Sequence, residues 1–189
     1  MNNLTEQQLL QQYIAGDQRA LERLIFQHKD KIFTSIYLLV KDKYLAEDIF
    51  QDTFIKVIDK LKKEQYNDEG KFLHWVVRIA HNLCIDHFRK SKSKLFVRKA
   101  DGGDIFESIN IADDGGHTIE QRQNRCRVGK MLDLLPQEQR EVIILRHYAD
   151  MSFAEIAETT KCSINTALGR MRYGLLNLRK MTREKQLIL

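Results

Sequence analysis

Residues that break or cross-link a chain are scarce in this sequence. Its 189 residues include one proline, nine glycines and three cysteines, and four of the glycines lie between Gly102 and Gly116. Because little interrupts a helix, and Leu, Ile, Lys, Arg, Glu and Gln dominate, the composition favours an all-α protein. With 43% apolar residues, the chain can build one ordinary domain or two small ones.

The cysteines and histidines do not form a metal or disulfide pattern. Cys84, Cys126 and Cys162 are far apart and outside any CxxC spacing, which excludes a disulfide framework and indicates a reduced, cytosolic protein. The histidines between positions 74 and 87 have no cysteines at ligand spacing, so we expect no metal. No cofactor is expected either.

Long apolar runs and catalytic motifs are also missing. No window approaches eighteen consecutive apolar residues, so we expect no membrane insertion. The first residues, MNNLTEQQLLQQY, lack a basic stretch leading into an apolar run and do not resemble a secretory signal, which favours a cytoplasmic location. Glu47, Asp48 and Asp52 have no accompanying histidine, Gly-rich loop or nucleophile motif, so an enzyme is not expected.

Charge, in contrast, is plentiful and unevenly distributed. The net charge is +5, but residues 71–99 carry eight Lys or Arg against one acid, and residues 161–185 carry seven against one. Between them, residues 100–120 hold six acids and no Lys or Arg. This pattern predicts two nucleic-acid surfaces joined by an acidic segment, although a basic block can also be an ordinary solvated helix face.

The first half of the chain predicts several amphipathic helices. Thr5 with Gln8 is typical of a capping box, and Gly16 with Asp17 separates a first helix from a second. In the stretch 44–61, YLAEDIFQDTFIKVIDKL, apolar positions between Ile49 and Leu61 predict a buried side. Another side of the same helix carries Asp48, Gln51, Asp52 and Ile55.

A basic helix with interleaved aromatic residues follows the polar break at 63–70. It is predicted from about Lys71 to Lys92. Capturing an unpaired strand requires positive charge for the backbone and flat or amide groups for the bases. The residues of this type are Lys71, Phe72, Arg78, Asn82, Arg89 and Lys90. We interpret Trp75 as core, and Asp86 as a residue that orients a neighbouring arginine.

Residues 93–117 lack any period, which predicts two domains at 1–95 and 118–189 with a flexible acidic linker at 96–117. In the second domain, Pro136 marks a helix start, Ser152 with Glu155 predicts a capping box, and Ser163 is the next expected N-cap. A short helix, a tight turn and a longer basic helix predict a helix-turn-helix from about Phe153 to Arg172, with an ordinary helical hairpin as the alternative.

A helical wheel divides the last helix into two faces. Its expected inward residues are Ile164, Ala167, Met171, Leu175 and Leu178. The candidates for DNA contact are Asn165, Thr166, Gly169, Arg170, Arg172, Tyr173, Arg179 and Lys180. Amide and guanidinium groups can read base edges in a major groove, and glycine allows close approach.

Three blocks in this order resemble the extracytoplasmic-function sigma factors of bacterial RNA polymerase. Residues 44–61 resemble the polymerase-binding helix of that family. The stretch FLHWVVRIAHNLCIDHFRK, residues 72–90, resembles its promoter-melting helix, and residues 135–180 resemble its second domain, which reads upstream DNA. The sequence departs from the family pattern at Leu168 and Tyr173, where basic residues are common, and at Gly174, where alanine is usual.

The resemblance implies a transcription initiation factor that binds core RNA polymerase and directs it to promoters. Asp48, Gln51, Asp52 and Ile55 would contact a coiled-coil of the largest subunit, and the flap of the second-largest subunit is a further implied partner. The loop at residues 66–71, called here the 66–71 loop, and Asn82 would receive a base flipped from the −10 element. The helix-turn-helix would read the −35 element, the acidic linker would follow the RNA-exit path, and an anti-sigma factor is expected. A two-domain helix-turn-helix regulator that acts without polymerase is the alternative.

Overall fold

The computed structural model describes residues 4–63, 65–66, 70–95 and 128–184, with the backbone alone for residues 91–95. Every regular element in these ranges is a helix, which confirms the predicted all-α class. The chain separates into two compact units, Met1–Asp104 and Ile105–Leu189. The predicted linker at 96–117, the predicted start of the second domain at 118 and Cys126 lie outside the described residues.

The first unit contains helices α1 (Glu6–Ile14), α2 (Gln18–Val40), α3 (Lys43–Lys62) and α4 (Phe72–Leu95). Helices α2, α3 and α4 pack against one another, and α1 packs on α2. The predicted capping box of Thr5 and Gln8 is present at the start of α1, and Asp17 caps α2. Their core includes Leu24, Val57 and Val76, each fully buried.

The second unit contains α5 (Gln137–His147), α6 (Phe153–Thr159) and α7 (Ile164–Glu184), all in mutual contact. Residues 128–133 are also helical, and their Leu132 belongs to a cluster with Leu135 and Ile143. Pro136 precedes α5 directly, as the sequence predicts. Gln139 of α5 accepts a hydrogen bond from Nδ2 of Asn177 at 2.9 Å, which ties α5 to the middle of α7.

The buried face of α7 differs from the predicted one. Ile164 and Leu175, expected inside, are 49% and 41% exposed, whereas Gly174 is buried. The reason is close packing, because a methyl group on Gly174 would lie 2.8 Å from Cδ1 of Ile143. The face that meets the core runs along Ala167, Met171, Gly174, Leu178 and Met181.

Candidate functional site

Helix α3 has two faces, as its sequence predicts. Ile49, Phe54, Val57 and Leu61 are buried, and Phe50 and Ile58 are half-buried. The four residues of the other face are all exposed: Asp48, Gln51, Asp52 and Ile55. Tyr44, one turn before Asp48, is 79% exposed and extends this face, and Ile55 is 65% exposed at its other end. We call Tyr44, Asp48, Gln51, Asp52 and Ile55 the α3 face.

The sequence interpretation missed Tyr44, although its spacing of four from Asp48 was a usable signal. An exposed aromatic residue at that spacing extends a helix face by one turn. The α3 face therefore combines two aspartates with a large apolar group at each end, and the core of its own unit uses none of these side chains.

Aromatic side chains surround Tyr66, the first residue of the 66–71 loop, whose residues 67–69 lie outside the described residues. The Tyr66 ring lies 4.5 Å from that of Trp75 and 6.1 Å from that of Phe72, measured between centroids. Gly70 has a φ of 69°, a left-handed backbone conformation that glycine adopts without strain. The described part of the loop therefore ends in a glycine-specific turn immediately before Lys71 and α4.

The structure corrects the role predicted for Phe72. This side chain is 1% exposed, so it packs inside the first unit and does not present a surface to DNA. Trp75, interpreted from the sequence as core, is half-buried against the same cluster. Of the aromatic residues of α4, Phe72 is buried and Trp75 and Phe88 are half-buried, whereas the basic Arg89 and Lys90 are exposed.

The remaining candidates on α4 have accessible side chains. Asn82, Arg89 and Lys90 are exposed, as is Lys71 just before the helix, and Arg78 is half-buried. Arg78, Asn82 and Arg89 follow one another at spacings of helical neighbours, so they share a side of the helix. The nearest carboxylate oxygen of Asp86 lies 3.1 Å from Arg89, which confirms that Asp86 orients a neighbouring arginine.

The second unit forms the predicted helix-turn-helix. Ser152 and Glu155 make the capping box of α6, and the turn contains Lys161 with a φ of 53°. Ser163 caps α7, because its Oγ accepts a hydrogen bond from the Thr166 amide at 3.0 Å. On the α5 side, Arg146 donates to the carbonyl oxygen of Met151 at 2.9 Å and holds the start of α6. These local contacts fix the angle at which α7 leaves the turn.

The predicted contact residues of α7 lie away from its core face. Asn165, Thr166, Arg172, Tyr173, Arg179 and Lys180 are exposed, and Gly169 and Arg170 are half-buried. The hydroxyls of Thr166 and Ser163 lie 2.8 Å apart, so the Thr166 hydroxyl also takes part in the cap. A methyl group on Gly169 would meet nothing within 4 Å, and the backbone there is open to a partner.

The described residues do not bring metal ligands together. No group of three or more His, Cys, Asp or Glu residues among them could hold a metal ion. Burial raises the pKa of the Cys84 thiol to about 12, which keeps it protonated and unreactive. In the part of the chain that the structure describes, no helix is long and apolar enough to cross a bilayer.

Two family matches divide the chain in the same way as the structure. Residues 24–94 match Sigma-70 region 2, and residues 127–170 match Sigma-70 region 4. SigW of Bacillus subtilis, an ECF RNA polymerase sigma factor, is 29% identical over 184 residues, which are 93% of this chain and 95% of SigW. BldN of Streptomyces coelicolor, named likewise, is 31% identical over 79% of this chain and 55% of its own length.

This chain belongs to the extracytoplasmic-function sigma factors. It binds core RNA polymerase and directs the enzyme to promoters. The alternative of a two-domain helix-turn-helix regulator that acts without polymerase is not favoured, because residues 24–94 match region 2 of the sigma factors.

Solved structures share the fold of this sigma factor. RpoE, solved with the anti-sigma factor NepR from Bartonella quintana, matches with a TM-score of 0.70 at 22% identity, covering 86% of this chain and 96% of RpoE. CnrH, solved with the cytosolic domain of CnrY, matches with a TM-score of 0.65 at 23% identity, covering 93% and 96%.

Proposed function

We propose that three surfaces divide the work of initiation in this sigma factor. The α3 face binds the polymerase core. The 66–71 loop with the exposed side of α4, called here the strand-capture site, binds and opens the −10 element. The exposed side of α7 reads the −35 element. The observation that supports this division is that most described residues of each surface are exposed and lie apart from the buried face of their helix.

The composition of the α3 face supports a protein partner. Large exposed apolar groups beside polar side chains are typical of surfaces that associate with another protein. Asp48 and Asp52 favour a basic surface on the partner. Tyr44 and Ile55 supply apolar surface whose removal from water favours binding. Both features suit the coiled-coil of the largest polymerase subunit.

The strand-capture site combines positive charge with an amide. Exposed positive charges that can contact the phosphates of a single strand are carried by Lys71, Arg89 and Lys90. Asn82 offers a hydrogen-bond donor and an acceptor to an unpaired base. Phe72 contributes from the core as a support of the loop. This division of roles is consistent with an extruded base received by the loop and Asn82.

On α7, side chains of the first turns are suited to contact base edges, and side chains of the last turns are suited to contact DNA phosphates. Asn165 and Arg172 bear groups that pair with base edges, and Arg179 and Lys180 lie two turns further on. The second domain is also where we place contact with the flap of the second-largest subunit.

We also propose a regulatory partner, a location and domain bounds for this protein. RpoE and CnrH were each solved with another protein bound, an anti-sigma factor in the case of RpoE, and we propose a comparable anti-sigma partner for this chain. We further propose that the protein acts in the cytoplasm, performs no chemistry itself, and has domains at 1–95 and 118–189 joined by the linker at 96–117.

Permanganate footprinting on a promoter transcribed by the reconstituted holoenzyme tests the division between opening and reading. Asn82→Ala should reduce the reactivity of unpaired thymines while leaving protection of the upstream duplex intact. Arg172→Ala should reduce discrimination between matched and scrambled upstream sequences, by about 1–3 kcal/mol if its contact is bidentate. Arg179→Ala should weaken all duplexes about equally.

The exposed Lys62 of α3 provides the control, because Lys62→Ala removes a cation outside the three surfaces. Undiminished thymine reactivity in Asn82→Ala would contradict the assignment of the strand-capture site. If Arg172→Ala kept its sequence preference and Arg179→Ala lost it, the two assignments on α7 would be exchanged. Arg179 would then contact bases, and Arg172 would not.

A further inference from the structure

Exposed leucine and isoleucine side chains line one side of α7, the helix that carries the −35 candidates. Leu168 is 44% exposed, and Ile164, one turn before it, is 49% exposed. Leu175, two turns after Leu168, is 41% exposed. Because these positions are four and seven residues apart, they lie along one side of the helix. None of the three belongs to the apolar cluster that Met171 and Leu178 of the same helix join.

Leu168 lies between the two residues of α7 that are proposed to contact base edges. Asn165 is three residues before it and Arg172 is four residues after it, and both side chains are exposed. Residues at these spacings are neighbours on a helix surface. A docking of α7 that brings Asn165 and Arg172 to base edges therefore brings Leu168 to the same groove.

The side chain of leucine determines which group of the DNA it can contact favourably. It has no hydrogen-bond donor or acceptor, so covering a phosphate or a polar base edge with it would remove water from that group without compensation. In the major groove, the apolar group that a base pair presents is the C5-methyl group of thymine. Packing of the Leu168 side chain on this methyl group removes both apolar surfaces from water.

The charge of α7 favours DNA over a protein as the partner of this side. Residues 164–183 carry five Lys or Arg and no Asp or Glu. Arg172 and Arg179 are exposed and follow Leu168 at spacings of four and eleven residues, so cations lie on the same side of the helix as the apolar groups. Apolar groups that alternate with cations fit a groove between two phosphate backbones.

We propose that Leu168 is a specificity-determining residue of this sigma factor, which recognises a thymine of the −35 element through the C5-methyl group of that base. Leu168 adds an apolar contact to the polar contacts of Asn165 and Arg172, so the affinity depends on a methyl group that hydrogen bonds do not detect. This inference rests on the role proposed above for α7.

The test compares thymine with deoxyuridine, in which only the C5-methyl group is missing. Holoenzyme formed from core polymerase and the full chain is titrated with duplex fragments of a promoter that it transcribes, at one salt concentration because affinity for DNA depends steeply on salt. Each thymine of the −35 element, on either strand, is replaced in turn by deoxyuridine. For the wild type, we expect at least one replacement to weaken binding about fourfold, the usual contribution of one buried methyl-sized group.

Leu168→Ala should weaken binding of the unmodified duplex by a similar factor. It should also reduce the effect of that deoxyuridine replacement to less than about twofold, because the shorter side chain no longer covers the methyl group. This coupling between a residue and a methyl group separates a base contact from general damage to the unit, which would weaken all duplexes alike. The matched control is Leu134→Ala, since Leu134 is 59% exposed in the same unit and precedes α5. This control should respond to every replacement like the wild type.

The results that would overturn the proposal distinguish it from the role of α7. Suppose that Arg172→Ala loses discrimination between matched and scrambled duplexes, while Leu168→Ala responds to every deoxyuridine replacement like the wild type or no replacement affects the wild type. Then α7 reads the −35 element, and Leu168 takes no part in it. If neither Arg172→Ala nor Leu168→Ala changes any preference among duplexes, the proposed role of α7 fails together with that of Leu168.

Discussion

Among single residues, His28 combines burial with a charged neighbour. Burial lowers the pKa of His28 below its ordinary value of 6.5, although the Glu6 carboxylate opposes this shift. Lys31 and His74 add to the lowering. The neutral form is therefore favoured in the folded protein, and the unfolded chain takes up a proton more readily.

This direction fixes the sign of a pH effect. Between the folded and the unfolded pKa the unfolded state binds more protons, so the free energy of unfolding falls as pH decreases through the ordinary value of 6.5. We expect His28→Gln to flatten part of this fall in the first unit. Chemical denaturation at several pH values measures it, with the exposed His147→Gln as the control. Parallel pH curves for the wild type and His28→Gln would contradict the expectation.

Residue identity along α4 predicts the chemistry of the strand-capture site but not which side chains reach solvent. Asn82 and Phe72 both fit a surface that captures a base, and their sequence context does not separate them. The structure separates them, because Phe72 is 1% exposed and Asn82 is exposed. Burial depends on helices that are distant in the sequence, so local pattern cannot supply it.

At the scale of elements, α7 contains two glycines in opposite environments. Gly169 faces open space, whereas a methyl group on Gly174 would press on Ile143 at 2.8 Å. Replacing glycine by alanine inside a helix stabilises it by about 1 kcal/mol when nothing else changes. In a packed contact, overpacking costs about 1–3 kcal/mol and offsets that gain.

We therefore expect Gly169→Ala to raise the melting temperature and to weaken binding of −35 duplex DNA, because the added methyl group occupies the open backbone that would approach the groove. Gly174→Ala should give no gain in stability and should affect DNA binding less. Thermal unfolding and duplex titrations on both variants measure this. Tighter or equal duplex binding by Gly169→Ala would exclude a close approach at Gly169.

The capping motifs and the buried face of α7 show where element prediction succeeds and where it fails. The boxes at Thr5 and Ser152 and the cap at Ser163 are predicted correctly because their partners are within three residues. The inward face was wrong at Ile164 and Leu175 because it depends on where α5 packs. Gly174, which has no side chain to suggest burial, is buried at a place where a methyl group would lie 2.8 Å from Cδ1 of Ile143.

For the whole molecule, the order of the three blocks and the uneven charge were enough to predict two helical units and the family. The packing of α1 on α2, and of α2 on α4, was not predictable, since it joins segments that are distant in the sequence. Because the proposed function divides among surfaces on separate helices, the most direct test changes one of these surfaces and compares it with a variant of the same net charge.

That test is the affinity of the full chain for core RNA polymerase after charge reversal on the α3 face. Asp48→Lys with Asp52→Lys should weaken binding at least about tenfold, because like charges then oppose the basic partner surface. Glu22→Lys with Asp30→Lys makes the same change in net charge at exposed positions of α2 and should bind like the wild type. Circular dichroism should show unchanged helix content in both. Equal affinities for the two double variants would contradict the account.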